Sequence, residues 1–308
     1  MISIIIPAFN EAKYIENTLS TLKECIGNYE NVEVIVVNNG SQDGTLECVE
    51  KFSWVRIVDL PSAVTVAEAR NIGVLHSFGA YIAFIDADIL VSEEWWESLL
   101  NYSNCYVNQL MISGYKVSVS KFPSWIELNW FSCFKKTSST YINSGNLVCS
   151  RKVFELIGGF NSELRTGEDV DFCNRARLKD IRVDPDESFK VYHEGYPKKL
   201  RSFFMREKWH GIGDLQSVAN FLGSKVALAS FTIVMLTILS LASLFLGSFE
   251  LCLIFLGLVI VINIYSLLKR FKIISLRQFC ICFFLNYIYF VARVASIFDL
   301  FSAISRKR

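Results

Sequence analysis

The sequence has almost no net charge and no paired-cysteine pattern, and its first residues show no leader-like run. Thirty-one Lys and Arg stand against 30 Asp and Glu, for a formal net charge of +1. No global field therefore marks a nucleic-acid binder. Nine cysteines are scattered without CxxC pairs or other metal-ligand spacing. The chain opens directly on Ile2-Ser3-Ile4-Ile5-Ile6 rather than on a basic stretch followed by an apolar run. Together these predict reduced thiols in a cytosolic domain rather than a disulfide framework. Charge is also missing locally: Val226–Gly247 and Leu251–Leu268 carry none. The mean hydropathy of +0.35 is high for a soluble chain and low for one that is membrane-embedded throughout. The apolar excess is concentrated after residue 225.

What is present before that point alternates between two periodicities. Residues 2–6 and 32–37 ("VEVIVV") are short β-branched runs and predict buried strands. Residues 55–58 predict another strand. "AYIAFIDADILV", residues 80–91, predicts a strand carrying acids. Between them, residues 10–22 ("NEAKYIENTLSTL"), 45–52 and 65–78 read as helices, the first with Ile15, Leu19 and Leu22 on one face. Strand and helix in alternation imply an α/β fold with a mostly parallel sheet and helices on both faces. Ligands of such sheets bind beyond the carboxyl ends of the strands. Three of those ends are polar: Pro7-Ala8-Phe9-Asn10-Glu11, Asn38-Asn39-Gly40-Ser41 and Asp86-Ala87-Asp88. Residues 113–135 are irregular and aromatic. "INSGNLVCSRKVFELIGGF" then predicts a loop, a strand and a helix, and "GEDVDFCNRARLKD" a further helix with acids in its first turn.

Residues 1–220 are expected to form one cytoplasmic domain and 221–308 a membrane domain. Spans are predicted at about 226–247 and 251–268, each long enough for a hydrocarbon core of roughly 30 Å. Lys225 precedes this pair, and Lys269, Arg270, Lys272 and Arg277 follow it, which puts both flanks in the cytoplasm. The segment at about 279–304 contains Asn286, Arg293 and Asp299 and precedes Arg306-Lys307-Arg308. It reads as an interfacial or partly inserted helix, with a third span as the alternative.

The acids carry the local chemistry. Asp86 and Asp88, separated by one residue, suit a hard divalent cation such as Mg²⁺ or Mn²⁺. Asp-x-Asp equally suits a solvated turn or a cap. Glu168-Asp169 at a helix start suits a general base, or a device that complements the helix dipole. His193, in "VYHEGYP", suits a metal or phosphate contact, or an ordinary loop hydrogen bond.

"ISIIIPAFNEAKYIENTLSTL", "VEVIVVNNGSQDGT", "AEARNIGV", "GAYIAFIDADIL" and "GGFNSELRTGEDVDFCNRAR" occur in this order. In that order the chain resembles a family 2 glycosyltransferase of GT-A fold over residues 2 to about 210. The resemblance implies an inverting, metal-assisted transfer from a nucleotide-diphospho-sugar. It implies that Pro7, Ala8, Asn10 and Glu11 line the nucleoside pocket. Asn38 stands where many relatives have an aspartate facing the base; its carbonyl suits the N–H of a uracil, so a UDP-sugar is the first expectation. It implies that Arg70 lies near the nucleotide, that Asp86 and Asp88 form the DXD metal site with His193 near it, and that Asp169 is the base, with Glu168 beside it. Met205-Arg206-Glu207-Lys208-Trp209 departs from the Gln-x-x-Arg-Trp of processive synthases, which argues against polymer synthesis.

A cytoplasmic transferase joined to a membrane hairpin is similar to enzymes that glycosylate lipid-held acceptors. The expected acceptor is thus a polyprenyl phosphate, a lipid-linked saccharide or another precursor of cell-envelope glycans, met among membrane lipids. Residues 122–134 suit that interface or a protein core. Two further readings are an inactive nucleotide-sugar-binding membrane subunit and a transferase acting on soluble acceptors. A transporter is a poor fit, because two or three segments with so few intramembrane charges are too few.

Overall fold

The computed structural model describes residues 1–105, 109–115, 117–134, 141–215 and 217–299. Nine strands and eleven α-helices are assigned among the described residues, in two compact units. One comprises residues 1–121 with 137–196; the other comprises 122–136 with 197–308.

The first unit is built on β1 (Ile2–Ala8), α1 (Ile15–Ile26), β2 (Val32–Asn38), α2 (Thr45–Glu50), β3 (Val55–Asp59), α3 (Val66–Leu75), β4 (Tyr81–Ile85), β5 (Ile89–Leu90), α4 (Glu93–Cys105), β6 (Met111–Gly114), β7 (Asn146–Ser150), α5 (Arg151–Ile157), α6 (Glu168–Arg177), β8 (Arg182–Pro185) and β9 (Tyr192–His193). Seven strands form one sheet in the order β3-β2-β1-β4-β7-β6-β8. β1 to β4 are mutually parallel, and β7 runs antiparallel to both of its neighbours. The expectation of a mostly parallel sheet holds, as does its reason: every residue of β1 is buried, because helices cover both faces. Pro7 is tolerated in this central strand because pairing with β4 ends at Ile5↔Phe84, before its missing N–H.

On one face, Ile15, Leu19, Leu22 and Ile26 of α1 pack with Trp95, Trp96 and Leu99 of α4 against Ile4, Ile6, Val34 and Val36. Each of these large side chains contributes about 1.5–3 kcal/mol by leaving water. An aspartate at the wholly buried Leu19 would break α1 from the sheet. On the other face, Phe154, Ile157, Phe172 and Ala176 cover Ile5, Ile82 and Phe84.

Two elements differ from expectation. The helix predicted from residue 10 begins at Ile15, because Asn10 is held in the left-handed region at φ 58° and residues 11–14 form a turn closed by Tyr14 N–H to Glu11 O. The strand predicted over 80–91 is two strands. β4 stops at Ile85, a turn carries Asp86-Ala87-Asp88, and β5 pairs with β9 in a separate two-stranded sheet. The two acids therefore sit on a turn, and strict alternation of faces does not apply to them.

The second unit holds α7 (Leu200–Asp214), α8 (Val218–Gly223), α9 (Lys225–Phe245), α10 (Phe249–Arg270) and α11 (Leu276–Ala295). By length and composition three of its helices, α9, α10 and α11, can each cross a membrane. Asn286 of α11 donates to Asn263 Oδ1 of α10 at 2.6 Å, both residues fully buried. Buried Trp130, from the aromatic segment, packs on Phe203, Phe271 and Tyr289, whereas Phe122 and Trp125 are exposed. The basic tail Arg306-Lys307-Arg308, and residues 300–304 of the third apolar segment, lie outside the described residues.

Candidate active site

The carboxyl ends of β1, β2 and β4 deliver the three polar clusters to one end of the sheet, as the parallel register requires: Ala8 pairs with Asn38, and Asn38 with Asp59. The β1 and β2 loops are tied together. Asn10 N–H donates to Ser41 Oγ at 3.0 Å, Gln42 N–H to Asn10 Oδ1 at 2.9 Å, and Glu11 N–H to Thr45 Oγ1 at 2.8 Å. Asp43 Oδ2 accepts from Ala12 N–H at 3.2 Å. Gly40 makes the turn possible: its φ is 69°, and a Cβ there would strike the backbone of Ser62 and Ala63.

The two amides at this strand end do different work. Asn39 Nδ2 donates to Val64 O at 3.0 Å, and its Oδ1 accepts from Val64 N–H at 2.8 Å. Only an amide can answer both groups, since a carboxylate accepts alone. Asn39 therefore pins the loop between β3 and α3. Asn38 Nδ2 donates to Asp59 Oδ1 at 2.7 Å.

Asp86 and Asp88 lie against glycines. A Cβ at Gly145 would overlap Asp86 Oδ2, and one at Gly195 would overlap Asp88 Oδ2. Asp86 Oδ1 accepts from Arg70 Nη2 at 2.6 Å. Asp88 Oδ2 is 3.4 Å from His193 Nε2, which the β5–β9 pairing of Ile89 with His193 brings there. The His193 ring stacks on Tyr196 with centroids 4.2 Å apart. Glu11 faces this pair: burial first, then the charges of Asp88, Asp86 and Asp43, push its carboxyl up to about 8. Negative charge is thus in excess where a cation is expected. Among the described residues no group of three or more His, Cys, Asp or Glu closes on one metal position. Mg²⁺ or Mn²⁺ typically takes one or two carboxylates and completes its shell with phosphate and water. Asp86 and Asp88, with His193 beside them, fit that mode.

Arg70 crosses the site. It is 2% exposed, and its Nη1 reaches Glu168 Oε1 at 3.0 Å while Nη2 holds Asp86. Ser144 Oγ donates to the same Glu168 oxygen at 2.9 Å. One guanidinium therefore couples the turn after β4 to the first residue of α6. Gly167, at φ 80°, starts α6 and turns Glu168 and Asp169 inward. Among the described residues Asp169 has no cation in direct contact. Its Oδ1 accepts from Val170 N–H at 2.8 Å and its Oδ2 from Asn143 Nδ2 at 3.4 Å. Burial, then the Glu168 charge, push its carboxyl up to about 6, against the Val170 hydrogen bond and the Arg70 charge. Such a group is ionised at neutral pH yet poised to take a proton.

The structure links Asp86 and Glu168 through Arg70 and sets Asp88 beside His193, with Glu11 and Asp169 within electrostatic reach of these acids, and brings Pro7, Ala8, Asn10 and Asn38 to the adjoining strand ends. Sequence reasoning missed Asp59, Asn143, Ser144, Gly145 and Gly195. "INSGN" offered a signal for three of these, a small-residue cluster before a strand. Asp59 offered only its place at a strand end.

Comparison with known proteins bears on the family and the fold. Residues 3–155 match the family model described as glycosyl transferase family 2. Glycosyltransferase AglE of Haloferax volcanii is 28% identical over 186 residues, covering 57% of this chain and 60% of the relative. A pre-mycofactocin glycosyltransferase of Mycobacterium tuberculosis is 25% identical over 224 residues, covering 68% of this chain and 46% of the relative. The chain thus spans about half the length of these curated relatives. A mannosyltransferase from Pyrobaculum calidifontis, solved with GDP-Man and Mn²⁺, superposes with a TM-score of 0.58 at 15% identity, covering 97% of this chain and 87% of that one. That likeness concerns the fold. This chain carries a glycosyltransferase domain of family 2, of GT-A fold, followed by three apolar helices that suit membrane anchoring.

Proposed function

We propose that the chain is an inverting transferase that moves a sugar from a nucleotide-diphospho-sugar to a hydroxyl of a membrane-held acceptor. The observation that carries this reading is Asp169: a carboxylate buried at a helix start, without a cation partner among the described residues, and tuned to about 6. A hydroxyl acceptor needs such a base, whereas a phosphate acceptor is ionised already. This favours a lipid-linked saccharide over a polyprenyl phosphate.

In this mechanism the acceptor O–H gives its proton to Asp169 as its oxygen attacks the anomeric carbon from the face opposite the leaving group. The new C–O bond forms as the bond to the diphosphate oxygen breaks, and the anomeric configuration inverts. Pro7, Ala8, Asn10, Glu11 and Asn38 hold the nucleoside. Asp86 and Asp88, with His193, would hold a divalent cation, which would supply charge neutralisation for the departing diphosphate. Arg70 acts through Asp86 and Glu168, holding the turn and the base-bearing helix in fixed relation. The Pyrobaculum mannosyltransferase, solved with GDP-Man and Mn²⁺, is consistent with this class of donor and metal. The three apolar helices support a membrane-held acceptor, and Lys225 with Lys269, Arg270, Lys272 and Arg277 flanking the first two supports a catalytic unit on the cytoplasmic side.

The test is a turnover assay of the full chain in lipid nanodiscs, with a panel of nucleotide-sugars and both lipid-linked and soluble acceptors. Transfer to the lipid-linked hydroxyl acceptor, with inverted product, is expected. Transfer to soluble acceptors alone would remove the membrane-held acceptor from this reading.

A further inference from the structure

The Asn38 side chain is only half satisfied. Its Nδ2 is committed to Asp59 Oδ1 at 2.7 Å, while its Oδ1 is buried with no hydrogen-bond partner among the described residues. Asn38 itself is 3% exposed, and Asp59 sits beside it in register on β3. Buried acceptors are seldom left unpaired, because the lost hydration is not recovered. The orientation of the amide is not arbitrary either. A carboxylate only accepts, so Asp59 draws the NH₂ end of Asn38 towards itself and turns the C=O end away.

We infer that Asp59 is a positioning residue that fixes Asn38 as a pure acceptor for the nucleobase, so that the site takes bases whose ring nitrogen carries a proton. The inference rests on the reading of this crevice as a nucleotide-sugar site. Uracil N3–H and guanine N1–H donate and suit Asn38 Oδ1. Cytosine N3 is an acceptor, so cytosine would set two acceptors against each other and leave both unpaired. Because uracil and cytosine are nearly equal in size, the discrimination comes from the direction of one hydrogen bond. Asp59 also explains why position 38 carries an amide. A second carboxylate there would repel Asp59, and nothing would hold it facing the base.

The experiment is calorimetric titration of the full chain in nanodiscs with UDP and CDP, each with Mn²⁺, for the natural protein and for Asp59→Asn and Asp59→Ala. The natural protein is expected to bind UDP at least about tenfold more tightly than CDP, the usual order for one mismatched buried hydrogen bond. In Asp59→Asn the new amide can donate or accept, so Asn38 is free to turn and the two affinities should converge to within about threefold. Asp59→Ala should converge in the same way. The thermal midpoint of each variant shows that it is folded, and a merely structural role for Asp59 would lower the midpoint without changing the UDP-to-CDP ratio. Equal binding of UDP and CDP by the natural protein overturns the inference, as does a ratio that survives both folded variants. If neither nucleotide binds the natural protein, the reading of the crevice falls, and this inference with it.

Discussion

The two compact units both bury charge, but they leave it in different states. In the second unit Glu207 is 2% exposed and lies among cations: Arg206 Nη1 is 2.6 Å from its Oε1, and Arg293 Nη2 is 3.5 Å from its Oε2. Arg293 also holds Asp214 at 2.9 Å and Lys208 holds Asp299 at 2.6 Å. These ties join α7 to α11 and its C-terminal extension. His210 is half-buried, and desolvation, then the charges of Arg206 and Arg293, push it down to about 3. Here buried charge is balanced and serves packing. In the first unit Arg70 balances part of the charge, but Glu11 and Asp169 remain as carboxyls whose ionisation is opposed. An unbalanced group costs stability, so its persistence points to a partner or a reaction.

The comparison can be broken most sharply at Asp169. Asp169→Asn should lower kcat for a hydroxyl acceptor by about 10²- to 10⁴-fold with donor affinity nearly unchanged, read by steady-state kinetics and donor titration. Near-full activity would remove the base assignment. Asp88→Ala should lower donor turnover by at least about a hundredfold and abolish the Mn²⁺ dependence of donor binding, measured by titration with and without chelator. In the second unit, Glu207→Gln should leave the UDP-to-CDP preference intact but destabilise the chain by about 3–5 kcal/mol, because two arginines lose their buried counter-charge. Its readout is the thermal midpoint in detergent.

The pH dependence separates the units more gently. As the proposed base Asp169 would have to be ionised, so kcat should rise about tenfold per pH unit below about 6 and level off above it. A flat profile between pH 5 and 7 would detach Asp169 from the rate. The stability sign is opposite. A raised acid pKa favours the protonated form in the fold, so this contribution is complete below the ordinary Asp value near 4 and is lost as pH rises through about 6. The smallest effect is expected at Asn39→Asp, which removes the donor to Val64 O and should cost about 1 kcal/mol of stability with little change in kcat.

Much of the site was legible because its cues are local. A β-branched run followed by Asn, Gly or Asp announces a strand end, and parallel strands gather such ends together. Asp86, Asp88 and the Glu168-Asp169 pair could therefore be singled out from spacing and family likeness. The partners of those residues were not legible. Arg70 stands in a helical stretch whose pattern says nothing of two carboxylates, one 16 and one 98 residues away. Asp59 looks like any acid at a strand end until register sets it beside Asn38. The break of the predicted strand at Asp86 was hidden because "IAFIDADIL" keeps its apolar character across the turn, and only the pairing of β5 with β9 reveals two strands.

By itself the sequence determined the alternation of strand and helix, the apolar C-terminal helices and the chemical types at each strand end, because periodicity and composition act over a few residues. Tertiary structure alone decided which charges are paired and which are left opposed. It assigned residues 122–136 to the second unit. It also turned the two amides of "VVNNGSQDGT" to different tasks, Asn39 on a loop and Asn38 on Asp59. Hydrogen-bond partners far apart in the chain are set by register and close packing, and neither is encoded in local spacing.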